Sequence, residues 1–305
     1  MPDIDENRRT PEELAMLGDI EPDMREVIVE GRTDVALMQW FFSRAVPESD
    51  VQLFAVQDRV LIPDDTVKSR GQNTGARGLV ITTATIVHEN SPESDRIIFV
   101  ADRDCYSIGL DSCPEIGNLL YTDYTSMESY YFSPKVLGKM LSVALRAPKE
   151  IVAEKLVSEI TPVLIDLFLI RATLRSLPEP KKLAGKVIDR LKFSSDGHAL
   201  DIVDALLRSC PGSSKEDLMA IFSALEVSPE SDVRHYIRGH DISAVVIKYV
   251  ASMHARLFRE DRRHLSQPDA MSICLVTCLE LVDLENFGLF RALKTYASRK
   301  PAPPE

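Results

Sequence analysis

Apolar positions along the first half of the chain alternate between two rhythms. Val27, Ile28 and Val29 form a short β-branched run, and after Gly31 the apolar residues Val35, Leu37, Met38, Phe41 and Phe42 recur at helical spacing. The same alternation predicts a second strand over residues 51–56, a helix near 78–89 behind the glycine-punctuated stretch KSRGQNTGARG, a third strand over 96–101 and a fourth over 118–122. RIIFVA is apolar throughout, as a strand buried on both faces should be. Strands separated by helices of this length need crossover connections, so they predict an α/β fold with a parallel sheet flanked by helices. Trp40, Phe41 and Phe42 are expected beneath that sheet.

From about residue 133 the rhythm is helical throughout. Ser133 with Pro134, and Thr161 with Pro162, read as an N-cap followed by a first-turn proline, and Ser213 with Glu216 has capping-box spacing. Further helices are expected near 183–192, 199–209, 242–258 and 269–297. Residues 1–24, polar and proline-punctuated, read as a flexible N-terminal arm, which leaves 25–132 as a catalytic domain and 133–305 as an all-α companion.

Charge narrows the candidate functions. With 47 acidic and 36 basic side chains the chain carries a net charge of −11, which opposes indiscriminate coating of nucleic acid and requires any polyanion site to be local. Cysteines 105, 113, 210, 274 and 278 contain no CxxC pair, so neither a disulfide framework nor a thiolate zinc site is expected. Cys274 and Cys278, one helical turn apart in apolar surroundings, read as core. The acidic N-terminus and the absence of an apolar run of about 18 residues predict a cytoplasmic protein with no membrane span. GxxxxGK does not occur, so ATP hydrolysis is expected only from another chain.

The chemistry concentrates in a few acidic motifs. VIVEGRTD places Glu30 at a strand end and Asp34 in the first helical turn; the bland alternative is a solvated strand terminus and a helix-favouring aspartate. IIFVADRDCY ends a buried strand with Asp102 and Asp104, which face one side if the backbone stays extended, with Arg103 pointing away. Crowded carboxylates raise one another's pKa or recruit a cation, and magnesium uses one or two carboxylates with water and substrate phosphates. TDYTSMESYYF presents Ser126 and Glu128, with Asp123 or Ser126 as a cap in the structural alternative. In RGHD, at 238–241, Asp241 reads as an N-cap and His240 as a candidate acid, base or phosphate contact. Lys68, Arg70 and Arg77 in the glycine-rich loop, and Arg256, Arg259, Arg262 and Arg263, are candidate phosphate contacts; ordinary solvated surface is the alternative for both groups.

The ordered set VEGRTD, VADRD and TDYTSMES resembles the Toprim domain, the metal-dependent module shared by topoisomerases, primases and OLD-type nucleases. TDYTSMESYYF and the late RGHD resemble more narrowly a Toprim-like bacterial family that includes AriB-type effector nucleases, which accompany an ABC-type ATPase in PARIS anti-phage defence. The likeness covers about residues 25–132. It implies that Glu30 binds metal or moves a proton, that Asp102 and Asp104 are metal ligands, that Asp34 is an additional acid, and that Ser126 and Glu128 serve a second metal. His240 would stand in for a lysine that the nuclease-type pattern has and this sequence lacks. No topoisomerase tyrosine or primase zinc module is evident, so the resemblance implies an Mg²⁺- or Mn²⁺-dependent nuclease, acting on RNA such as tRNA in preference to DNA. Two cations about 4 Å apart would stabilise the attacking and leaving oxygens of an in-line displacement. The sequence leaves open endonuclease or exonuclease action and monomer or homodimer. Two other readings stand beside it: a haloacid-dehalogenase-type phosphatase, for which Tyr106 occupies the place where Thr or Val is usual, and a non-catalytic Toprim-like partner or sensor module.

Overall fold

The computed structural model describes residues 7–21, 23–92, 94–194, 197–228 and 230–299, and the chain divides into two compact units. The first comprises residues 1–103, 113–123 and 280–305; the second comprises 104–112 and 124–279. This division differs from the expected one at 132/133, because the C-terminal residues pack with the sheet while residues 124–132 pack with the later helices.

The first unit holds a four-stranded parallel sheet in the order β2-β1-β3-β4, with β1 at Glu26–Val29, β2 at Gln52–Ala55, β3 at Ile97–Ala101 and β4 at Leu119–Tyr121. All four strands fall where the apolar runs predict them. Alternation along β1 and β3 separates the faces. Ile28, Ile97, Phe99 and Ala101 join one core cluster with Leu14 of α1 (Pro11–Ile20) and Val80, Ile81 and Ala84 of α3 (Ala76–Asn90). The other face belongs to α2 (Arg32–Ala45), whose fully buried Phe41 meets Phe290 of the C-terminal helix Gly288–Ser298 edge-on, ring centroids 4.9 Å apart.

Residues 11–20 are therefore not an arm. Thr10 and Glu13 close a reciprocal capping box, and Leu14 and Ala15 are buried. Residues 1–6 and 22 of the expected arm lie outside the described residues. The C-terminal helix is tied down at both ends. Asp123 accepts hydrogen bonds from the Gly288 and Leu289 N–H groups at 2.8 and 3.1 Å, and Arg25 donates to the carbonyls of Tyr296, Ala297 and Arg299. An anion at the helix start and a cation at its end both complement the helix dipole.

The second unit is mainly helical but not all-α, since β5 (Lys192–Ser194) and β6 (Gly197–Ala199) form a small antiparallel pair between the helices expected over 183–192 and 199–209. Val187–Arg190 is only a single helical turn. Its spine is α4 (Ala153–Arg175), which runs through Thr161–Pro162 instead of starting there. Burial of twelve of its side chains outweighs the roughly 3 kcal/mol that an internal proline costs. Ser133 caps the next helix as predicted, accepting from Val136 N–H, whereas Ser214, one residue beyond the predicted Ser213, caps Lys215–Ala224. α5 spans Gly239–Met253. The expected helix over 269–297 is three pieces, Pro268–Thr277, Leu281–Leu284 and Gly288–Ser298, the first in the second unit and the others in the first. Cys274 and Cys278 are buried, as read from the sequence.

Candidate active site

Within the first unit, β1 and β3 are parallel neighbours in the register Ile28↔Phe99, so their carboxyl ends emerge side by side. Glu30 follows β1, and its Oε1 accepts the backbone N–H of Asp102, the first residue after β3, at 2.7 Å. Two acids 72 positions apart in sequence thereby meet at the carboxyl edge of the two central strands, where parallel sheets place their sites. The buried Arg77 also donates its Nε to the Asp102 carbonyl at 2.7 Å. The backbone of Asp102 is held at its N–H by an acid and at its carbonyl by a base.

Asp34 has a local task. Its Oδ2 accepts the Gly31 N–H at 2.9 Å, which caps the first turn of α2. Arg77, expected to touch substrate, is instead 6% exposed and committed to fixing a strand end. Arg70 is spent on a bidentate pair with Glu89 at 2.5 and 2.8 Å, and Lys68 lies 3.9 Å from Asp65. The structure does not gather Lys68, Arg70 and Arg77 into a substrate loop. Its glycines have another reason: a Cβ on Gly78 would lie 1.8 Å from the Asn73 carbonyl oxygen, so the loop closes over α3 only with glycine there.

The expectation that Asp102 and Asp104 share a side by extended alternation fails at the backbone. Arg103 donates its N–H to Thr122 Oγ1 and its Nε to the Thr122 carbonyl at 3.2 and 2.6 Å, and Asp104 adopts φ +47°. Aspartate tolerates this left-handed region better than most residues. Asp104 belongs to the second unit, where its N–H donates to the Thr125 carbonyl at 2.8 Å.

The remaining motif residues assemble in that second unit. Glu128 is the second residue of the turn Met127–Tyr131, and its Oε1 lies 2.7 Å from His240 Nδ1 at the start of α5. Burial pushes the Glu128 carboxyl up, but His240 outweighs it, with Ser126 adding, and the group titrates below its ordinary range. Hydrogen bonding to Glu128 raises His240, against its own partial burial. Gly239 allows the approach, since a Cβ there would lie 2.2 Å from Ser126 Oγ and 2.6 Å from Glu128 Cβ. The Ser126 hydroxyl is buried beside that carboxylate without a hydrogen bond of good geometry. Asp241 is not the N-cap. It is 3% exposed and binds Arg171 of α4 bidentately at 2.8 and 2.7 Å. Asp111 does the same for Arg175 and also accepts the Cys105 N–H, which pins the loop after Asp104. Neither pair has any sequence signature, because the partners stand 70 and 64 positions apart. Asp104, Ser126 and Gly239 line a cavity of about 590 Å³ with Arg171, Arg175 and Arg238, so Asp104, the one acid among the described residues of that lining, has cationic neighbours.

Among the described residues, no three His, Cys, Asp or Glu side chains form a group that could hold a metal ion. Glu30 and Asp102 bring two carboxyl-bearing residues to one strand edge, and magnesium commonly takes one or two carboxylates before water and substrate complete its shell. No protein-family model matches the chain, and no curated protein matches its sequence.

Proposed function

We propose that the chain is a metal-dependent nuclease with a Toprim-like catalytic unit, cleaving RNA, tRNA foremost, as the effector beside an ABC-type ATPase in anti-phage defence. The observation that supports this reading is the hydrogen bond from Asp102 N–H to Glu30 Oε1 at the carboxyl edge of β1 and β3. That bond fixes the orientation of the Glu30 carboxyl group through the Asp102 backbone and leaves the Asp102 side chain out of it. A divalent Mg²⁺ or Mn²⁺, when bound there, would supply the positive charge that lets carboxylates and a phosphodiester share one pocket. Glu30 and Asp102 would hold it. Arg77, by clamping the Asp102 carbonyl, keeps the second acid in register with the first. Asp34 stabilises the turn that carries Glu30. The defence role, the ATPase and the parts of Asp104, Ser126, Glu128 and His240 come from the motif resemblance alone.

The test is incubation of the purified chain with magnesium or manganese and separate tRNA, mRNA and duplex DNA. Cleavage is expected with the metals, to be abolished by chelator, and to fall by about 10²–10³ or more in Glu30→Gln and Asp102→Ala. Arg77→Ala should reduce cleavage without touching substrate. Cleavage that persists in excess chelator would reject the mechanism, and release of phosphate from monoesters alone would favour the phosphatase reading.

A further inference from the structure

A second feature of the helical unit stands apart from these acids. Beyond Met253 the chain leaves α5 through the turns Ala255–Leu257 and Glu260–Ser266. Here Arg256, Arg259 and Arg262 converge with Arg146, from the loop after Leu145, around a cavity of about 620 Å³. Of the late arginines singled out in the sequence, Arg263 is not in this lining.

Four guanidinium groups around one opening repel one another, and in a chain of net charge −11 such a concentration runs against the average surface. Among the described side chains the acid in contact with them is the half-exposed Asp261, 3.5 Å from Arg146 and 3.3 Å from Arg262. One solvated carboxylate shared by two arginines compensates little. The dipole at the end of α5 favours a nearby cation by about 0.3–1 kcal/mol, too little to account for four. The lining is also built rather than incidental. Arg262 is nearly buried, and its Nη1 donates to the Leu145 carbonyl. Arg146 holds φ +47°, a left-handed conformation that costs a non-glycine residue about 1–2 kcal/mol. Ile151 and Leu257 provide apolar wall.

Arginine presents fixed forks of donors that match pairs of phosphate oxygens, and no lysine lines the cavity. Its volume lies within the range of small-ligand sites, roughly 300–1,000 Å³. We propose that this cavity binds consecutive phosphate groups, carried either by a free nucleoside polyphosphate or by a nucleic-acid strand. The inference does not rest on the nuclease reading.

Calorimetric titration of the full chain with inorganic tripolyphosphate, in EDTA and about 0.15 M salt, tests it. Binding should exceed that of sulfate. It should weaken at least about tenfold in Arg256→Glu/Arg259→Glu, whose side chains are exposed, and less in Arg256→Lys/Arg259→Lys, which keeps charge but loses the forks. Glu30→Gln should bind as the wild type does, so a failed cleavage assay leaves this result intact. Displacement of a labelled 12-nucleotide RNA by tripolyphosphate would assign the site to a strand; tripolyphosphate binding without displacement would assign it to a free polyphosphate. Wild-type affinity no greater than for sulfate, or equal affinity in the charge-reversed variant, would overturn the proposal.

Discussion

At the scale of single residues, the motif acids divide by what they touch. Glu30 reaches across to another strand, Asp34 serves its own turn, and Glu128 engages a histidine 112 positions away. The last pair has a defined pH signature. Glu128 is lowered from 4.5, so its contribution is present above that value and fades as pH falls through the folded pKa; His240 is raised from 6.5, so its contribution is full below 6.5 and fades as pH rises through its folded pKa. The ion pair therefore stabilises most between about pH 4.5 and 6.5. Because His240 is 62% exposed, solvent screening keeps the effect small. His240→Ala should cost about 0.5–1 kcal/mol near pH 5.5 and less than half of that near pH 9, measured by urea unfolding at both. The identity of these acids as candidates was legible because carboxylates at strand ends stand out in an apolar context. Their partners were not, because nothing in a linear pattern joins Asp241 to Arg171 or Asp102 to Arg77.

At the scale of elements, the glycine of RGHD decides how α5 meets the turn carrying Ser126 and Glu128. Gly239→Ala would force a methyl group against Ser126 Oγ and Glu128 Cβ and should destabilise by about 1–3 kcal/mol. It should also loosen the His240–Glu128 contact, so that the His240 pKa, followed by NMR, falls back toward 6.5. Gly185→Ala is the control: a Cβ there meets nothing within 4 Å, and unfolding should be unchanged or slightly stabilised. The strands were all legible, since β-branched and aromatic runs bounded by turn residues have few alternatives. Helix ends were less so. Pro162 sits inside α4 because tertiary burial overrides the local cost, and the stretch expected as one helix over 269–297 breaks where its pieces serve different units.

At the scale of the molecule, the chain crosses between units after residues 103, 112, 123 and 279. A fragment of residues 25–132, the boundaries suggested by the motifs, lacks both Leu14 and Phe290, which are fully buried in the sheet unit. It should be unfolded by circular dichroism and amide dispersion, whereas the full chain shows a cooperative transition. No described helix is long and apolar enough to cross a membrane, in line with the apolar-run reading. If Glu30 and Asp102 hold a cation, saturating magnesium should raise the melting temperature of the wild type by mass action, and the shift should vanish in Glu30→Gln/Asp102→Asn. Hydrophobic rhythm and turn chemistry, which act over a few residues, were enough to determine the parallel strands, the first crossover helices and the acids at the strand ends. Only the tertiary structure decided that the N-terminal segment is a core helix, that the last helix completes the sheet unit, that Arg77 is a clamp, and that four arginines share a cavity. Each of these depends on contacts between distant segments, whose geometry is selected by packing and charge compensation in the folded chain and leaves no periodic trace along it.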